Sequence, residues 1–309
     1  MTSLIKPFVT LTKSAAVHLT LLFFAFALNG CRHSKREVAS DLHLAGGTVA
    51  QRSEFAGALA LLPGGGLCSG VKISDTTILT AAHCVIDYTE KVEYFKAGDE
   101  LSINSGIVLD GKELFKVKVK KISVHPTTKR DDCIASETVK RYESCIDLAV
   151  IEIEPSERFK AEKTATVGSN YNPKAHDHVF IGGYGCEAWN GKFEPVFSDE
   201  NPRQKFGEVE IHKVYPASIA FASGPASKFA DKDGNPLTNP KAILGCPGDS
   251  GGPVYLADKT TVVAVTSGAV ESGIDAQKGF LSYYSRVDSH ATLLDGNDLG
   301  SWLLPILGI

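Results

Sequence analysis

Three short segments hold side chains whose chemistries complement one another. They are Thr80-Ala81-Ala82-His83-Cys84, Asp147-Leu148-Ala149-Val150 and Cys246-Pro247-Gly248-Asp249-Ser250-Gly251-Gly252-Pro253. A serine hydroxyl is a poor nucleophile at neutral pH and needs an adjacent base. An imidazole can take its proton and later return it to a leaving amine. A carboxylate beside the ring holds the right tautomer and stabilises the charged form. His83, Asp147 and Ser250 supply this set, provided the fold brings them together.

The elements that must do so are short strands. Ala58-Leu59-Ala60-Leu61-Leu62 runs into Pro63-Gly64-Gly65-Gly66, and Thr77-Ile78-Leu79-Thr80 is a second apolar run. Val117-Lys118-Val119-Lys120-Lys121-Ile122 alternates apolar and charged residues, the pattern of a half-exposed strand. Leu148 to Ile153, Val179 to Ile181, Val254 to Leu256 and Val262 to Val265 continue the series. This predicts an all-β sandwich or barrel. Helix is expected only near His83 and at the C-terminus, around Ser301-Trp302-Leu303-Leu304. The Pro-, Gly- and Asp-rich stretch from Trp189 to Asn239 reads as surface insertions. Within it, Asp231-Lys232-Asp233-Gly234-Asn235 reads as a turn, because its glycine falls too early for an EF-hand loop. His176-Asp177-His178 lacks a third ligand at a recognisable spacing and reads as a polar loop. No metal site is expected.

The chain of 309 residues has a net charge of -4, which gives no sign of nucleic-acid binding. Its first residues read as a targeting segment. Lys6 and Lys13 precede an apolar run from Ala15 to Leu28. That run is short for a bilayer span of ~20 residues and fits a signal peptide over residues 1–30. Leu28-Asn29-Gly30-Cys31 resembles a bacterial lipobox, which implies lipidation of Cys31. An ordinary signal peptide or an uncleaved anchor are the other readings. Residues 31–43 then form a charged tether. Of the seven cysteines, Cys31 is the natural odd one out. Cys68, Cys84, Cys133, Cys145, Cys186 and Cys246 can form three bridges in an oxidising compartment.

With Thr-Ala-Ala-His-Cys and Gly-Asp-Ser-Gly-Gly-Pro in the order His, Asp, Ser, the sequence resembles the chymotrypsin/trypsin-like serine protease family from Leu44 to Asp288. The resemblance implies two six-stranded antiparallel β-barrels in a domain over 44–309. The active site would lie in the cleft between the two barrels, and a helix would form at the C-terminus. It implies a catalytic triad of His83, Asp147 and Ser250, an oxyanion hole from the N–H groups of Gly248 and Ser250, and peptide or protein substrates without a cofactor. It pairs Cys68 with Cys84. The family's usual partner for Cys246 is missing downstream, so Cys186 takes that place and Cys133 pairs with Cys145. Gly182-Gly183-Tyr184-Gly185 resembles a strand start in the second barrel, and Tyr283 to Val287 the strand closing the pocket. His125-Pro126 fits a structural position. In Val265-Thr266-Ser267-Gly268, the strand facing substrate, Thr266 is expected to reach Asp147.

The specificity pocket is expected from Leu244 at its base with Thr266, Gly268 and Ser282. A base without charge argues for apolar residues and against Lys or Arg; an acid relocated to Glu271 is the competing reading. Leu44-Ala45-Gly46-Gly47 resembles the family's activation segment, with Asp249 as the acid that receives the new α-amino group. This implies a zymogen, an activating protease, and an exported domain either anchored to the cell envelope through Cys31 or released by the cut. A trypsin-like binding or adhesion module without activity is the other class of function.

Overall fold

Strand alternation decides which faces are buried. The computed structural model describes residues 48–51, 54–63, 66–87, 92–129, 145–186, 188–189, 195–196, 202–223, 245–272, 279–291 and 299–308. Its first half contains β1 (Thr48–Val49), β2 (Ala58–Leu62), β3 (Cys68–Ser74), β4 (Thr77–Thr80), β5 (Ile86–Asp87), β6 (Val92–Glu93), β7 (Glu100–Asn104), β8 (Leu114–Val124) and β9 (Ala149–Ile153). The second half contains β10 (Thr166–Val167), β11 (His178–Gly183), β12 (Ala188–Trp189), β13 (Pro195–Val196), β14 (Lys205–Glu210), β15 (Lys213–Val214), β16 (Ser218–Ser223), β17 (Pro253–Tyr255), β18 (Thr261–Ser272) and β19 (Gly279–Arg286). Helices are α1 (Glu157–Lys160) and α2 (Leu299–Leu307).

Strands β2-β3-β4-β9-β8-β7 close into a barrel. In β8 the valines Val117 and Val119 turn inward while Lys118 and Lys120 are exposed, as the alternation predicts. In β9 both faces are apolar for a reason the sequence does not state. Ala149, Ile151 and Ile153 fill the barrel, whereas Val150 packs outward into a second cluster. Leu79 of β4 also faces that second cluster, which includes Phe206, Tyr255 and Val265 from the other half of the domain. The continuous apolar runs are therefore strands buried on both sides.

The second half, joined at one edge by β1, forms a nine-stranded sheet in the order β1-β14-β11-β17-β18-β19-β16-β15, with β10 beside β18. It curls around its own apolar cluster of Val179, Ile181, Val209, Ile211, Phe221 and Val263. Among the described residues its hydrogen bonds do not close a ring, and β10 runs parallel to β18. The expected all-β two-barrel architecture with a C-terminal helix is present in this form: one closed barrel and one curled half-barrel. The expected insertions between Trp189 and Asn239 include, in their described part, the strands β14, β15 and β16. The expected helix at His83 is a single 3-10 turn, Ala82–Cys84. Helix α1 was not anticipated; Ser156 caps it by accepting the Phe159 N–H at 3.3 Å.

Helix α2 closes the structure by packing Leu299 and Leu303, both fully buried, into the cluster shared by the two halves. Trp302 meets the ring of buried His125 edge-on at 4.8 Å, which fits the structural role expected for His125-Pro126. Removing a buried leucine side chain costs about 2–5 kcal/mol. Leu303→Ala should lower the thermal midpoint by several degrees in a calorimetric scan, with the secondary-structure spectrum at room temperature unchanged.

Candidate active site

Register places the first two expected site residues together. Strands β4 and β9 pair Thr80 with Ala149. Continuing that antiparallel ladder brings the residues just after Thr80 beside those just before Ala149. Ala81 and Ala82 are fully buried, and the 3-10 turn that follows carries His83 on the barrel rim. Asp147 lies opposite, 6 % exposed. Its Oδ1 accepts the His83 backbone N–H at 2.9 Å, and its Oδ2 bonds His83 Nδ1 at 2.7 Å.

A third donor completes the carboxylate, and it is not the expected one. Ser267 Oγ donates to Asp147 Oδ2 at 2.6 Å. Thr266 Oγ1 instead donates to the Gly252 carbonyl at 3.1 Å. Adjacent residues of a strand point to opposite faces, so only one of the two hydroxyls can reach Asp147. The register of β18 against β19 shifts between Thr266 and Gly268, and this irregularity presents Ser267 to the site. The Asp147 N–H in turn donates to Ser285 Oγ at 3.0 Å. Neither serine was singled out in sequence. The only signal was the pair of neighbouring hydroxyls in Val265-Thr266-Ser267-Gly268, which does not say which one faces inward.

The turn carrying Ser250 is docked onto the first barrel by its backbone. The Ser69 N–H donates to the Ser250 carbonyl at 2.7 Å. Ser69 Oγ donates to the Gly248 carbonyl at 2.8 Å and accepts the Tyr184 N–H at 3.1 Å. Cys84, bridged to Cys68, places its sulfur 3.4 Å from the same Ser250 carbonyl. A ring nitrogen of His83 lies within 4.8 Å of both sulfurs. The disulfide thus seats the histidine turn and the serine turn on one support. Gly251 has φ +79°, and a Cβ there would sit 2.1 Å from Thr80 Oγ1. Among the described residues, the N–H groups of Asp249, Gly251 and Gly252 have intramolecular acceptors, whereas those of Gly248 and Ser250 have none.

Asp249 is buried in a slot shaped by missing side chains. Its Oδ1 accepts the Gly185 N–H at 2.7 Å and its Oδ2 the Cys246 N–H at 2.9 Å. A Cβ on Gly183 would lie 2.2 Å from Oδ1, so glycine is required there. The Gly182-Gly183-Tyr184-Gly185 segment closes β11 rather than opening a strand, because the carboxylate enters where the strand stops. Burial pushes the Asp249 carboxyl up to about 7; the Gly185 and Cys246 N–H groups and the charge of Lys205 pull the other way. Lys205 pairs with Gly183 across the sheet and shares its interior face. The Cys186–Cys246 bridge ties the two segments that hold Asp249.

The remaining expected positions divide. Cys145 is disulfide-bonded, while Cys133, its expected partner, lies outside the described residues. So do the segment 1–30, the segment 31–43 that begins with Cys31, Leu44, the segment 231–235 and Leu244, as does the side chain of Glu271. Thr266, Gly268 and Ser282 lie on the adjacent strands β18 and β19, where Gly268 pairs with Tyr283 and Ser282 with Ala269. Thr266 and Tyr284 both abut Gly245: a Cβ there would meet them at 3.6 and 3.4 Å. Cys68, His83 and Cys84 bring potential metal-binding atoms together, but both sulfurs are consumed in their bridge. Among the described residues no helix is long and apolar enough to cross a membrane.

A closed barrel facing a curled half-barrel, with a His–Asp pair on one rim and a glycine-flanked serine turn docked against it, defines a chymotrypsin-like protein. The sequence profile of the Trypsin family matches residues 44–293, and the chain belongs to that family. Among solved structures it is similar to HL collagenase, with 19 % identity and a TM-score of 0.53 over 85 % of this chain and 98 % of that one. It is also similar to a Glu endopeptidase, with 12 % identity and a TM-score of 0.55 over 85 % and 96 %. A mutant of human heparin binding protein aligns with 14 % identity and a TM-score of 0.50 over 78 % and 90 %. At these identities the likeness is one of fold. No curated protein matches in sequence.

The buried Asp249 makes stability depend on pH. Its carboxyl rises from an ordinary value of 3.8 to about 7 in the folded chain. Such an acid favours the folded state below both values and penalises it above both. The stability of the wild type relative to Asp249→Asn should therefore fall as pH rises from about 4 to about 7, and level off above that. Urea unfolding of both proteins across this range measures it; a constant difference would show that the carboxyl does not titrate there.

Proposed function

We propose that the protein is an exported serine endopeptidase in which Ser250 is the nucleophile, His83 the general base and Asp147 the orienting acid. The observation that carries this reading is the 2.7 Å bond from His83 Nδ1 to a buried Asp147. The carboxylate accepts from two further donors, so it is fixed in place and holds the Nδ1–H tautomer. His83 Nε2 is then the lone pair available to Ser250 Oγ. The hydroxyl attacks the scissile carbonyl as its proton passes to Nε2, and the charged imidazole is stabilised by Asp147. The developing oxyanion is received by the Gly248 and Ser250 N–H groups, in keeping with their having no other acceptor among the described residues. Collapse of the tetrahedral intermediate returns the proton to the leaving amine and leaves an acyl-enzyme at Ser250. Water, deprotonated by His83, then releases it. No cofactor enters these steps.

The specificity reading rests on Leu244 as an uncharged pocket base, with Thr266, Gly268 and Ser282 on the walls. Apolar side chains of small or medium size are the preferred residues before the scissile bond. Peptide-library hydrolysis tests both parts together. Ser250→Ala and His83→Ala should each reduce turnover by about 10⁴-fold or more, since such groups act as a unit. Ser267→Ala should cost roughly ten- to a hundredfold in kcat, the scale of one lost hydrogen bond to a charge. Thr266→Val should cost far less. Equal rates for wild type and Ser250→Ala would remove the enzyme reading and leave a binding module.

The activation reading starts from the same buried acid. Cleavage before Leu44 would create an α-ammonium that enters the domain and pairs with Asp249, which lowers the carboxyl from about 7 and orders the serine turn. With a lipid on Cys31, that cut also frees the domain from the membrane. A phosphonate probe for Ser250 should then label soluble chains that begin at Leu44. Labelling of lipidated chains that still begin at Cys31 would overturn both the zymogen and the release.

A further inference from the structure

Cys186 holds the serine turn in two ways, through its sulfur and through its backbone. The bridge joins it to Cys246 across a sequence separation of 60. Its N–H donates to the Pro247 carbonyl at 3.1 Å. Both cysteines are buried. The segments they belong to press together backbone to backbone: a Cβ on Gly248 would sit 2.9 Å from the Gly185 Cα. The Gly185 and Cys246 N–H groups grip the oxygens of Asp249, and the Asp249 N–H closes back onto the Cys246 carbonyl at 2.9 Å.

The Pro247 carbonyl shares its peptide plane with the Gly248 N–H. In a trans peptide these groups point in opposite directions. A carbonyl held toward Cys186 therefore turns the Gly248 N–H away from that segment, where it has no intramolecular acceptor among the described residues. The local chain does not fix this plane. Proline sets its own φ but not its ψ, and Gly248, at φ 99°, tolerates rotations that other residues do not. The plane that follows Gly248 has a separate hold, because Ser69 Oγ donates to the Gly248 carbonyl at 2.8 Å. A single neutral hydrogen bond is a weak tether between segments far apart in sequence. The bridge removes the cost of bringing those segments together and keeps donor and acceptor opposed.

We propose that Cys186, through its N–H and its bridge to Cys246, is the positioning residue that aims the Gly248 N–H into the oxyanion hole. The inference deepens the protease reading and rests on it. Without this clamp the Pro247–Gly248 peptide rotates, and the hole keeps only the Ser250 N–H. Ser250, His83 and Asp147 retain their own supports, and substrate still binds. The loss falls on the transition state, so it appears in kcat rather than in KM.

The test compares wild type with Cys186→Ala/Cys246→Ala, each titrated for active sites with a phosphonate. The double variant should lose about 10²-fold in kcat, the lower end of what one missing oxyanion donor costs, with KM changed by less than about threefold. A peptidyl trifluoromethyl ketone, which forms an oxyanion on Ser250, should lose affinity by the same factor, whereas a product peptide should not. A bridge that only stabilises the fold would leave kcat unchanged below the variant's thermal midpoint, and that result would overturn the proposal. Equal losses for the ketone and the product peptide would overturn it too. If the double variant does not fold, Pro247→Gly decides, since it keeps the bridge and the carbonyl at 247. Its kcat should stay within about threefold of wild type, because Cys186 still holds the plane; a loss near 10²-fold would assign the plane to the proline ring instead. Activity that persists in Ser250→Ala would remove the protease reading itself, whereas Ser250-dependent activity that survives loss of the bridge removes only the clamp.

Discussion

The carboxylate of Asp147 is the joint on which the site depends. It belongs to the first barrel, accepts two bonds from His83 in that barrel and a third from Ser267 in the second sheet. Its own N–H reaches Ser285, again in the second sheet. A buried carboxyl without such donors would be expensive, so the two halves of the domain must be in place to satisfy it. The orientation of His83 and the packing of the halves are thus one constraint seen from two sides. The apolar cluster formed by Leu79, Val150, Phe206, Tyr255 and Val265 brings the halves together without direction. The Asp147 hydrogen bonds supply the direction.

Asp249 poses the opposite problem at the neighbouring residue of the serine turn. It has two backbone donors and a lysine charge, and still its carboxyl rises to about 7. Asp147 and Asp249 are both buried acids within the same small region, but one is satisfied by three donors and the other is held in tension by burial. In the proposed activation, the incoming α-ammonium would relieve that tension. The glycines at 183 and 185 are required by this arrangement, since a side chain at either would collide with the carboxylate.

Solved structures similar to the chain include an endopeptidase, a collagenase and a heparin binding protein. The same scaffold serves different ends, and function has to be argued from the site. Here that means the hydrogen bonds around His83 and Asp147 and the turn at Ser250, none of which is a property of the strands alone.

Much of this was legible in the chain itself. Strand runs such as Val117 to Ile122 show their buried face by period two, and the segments around His83, Asp147 and Ser250 carry the chemistry in their residue types. The Cys68–Cys84 and Cys186–Cys246 bridges follow from the resemblance and are present. What the chain could not show by itself is which atoms meet. Thr266 and Ser267 are equivalent hydroxyls until a bulge in β18 turns one of them toward Asp147. His176 and His178 form a bare pair until β14 lays Glu210 and Glu208 beside them. Lys205 is an unremarkable surface-type residue until the second sheet buries it on the face of Gly183, beside Asp249. Local propensity and pattern depend on neighbours along the chain, so sequence determined the elements and the candidate chemistry. Contacts between residues far apart in sequence depend on register, and only the tertiary structure decided those.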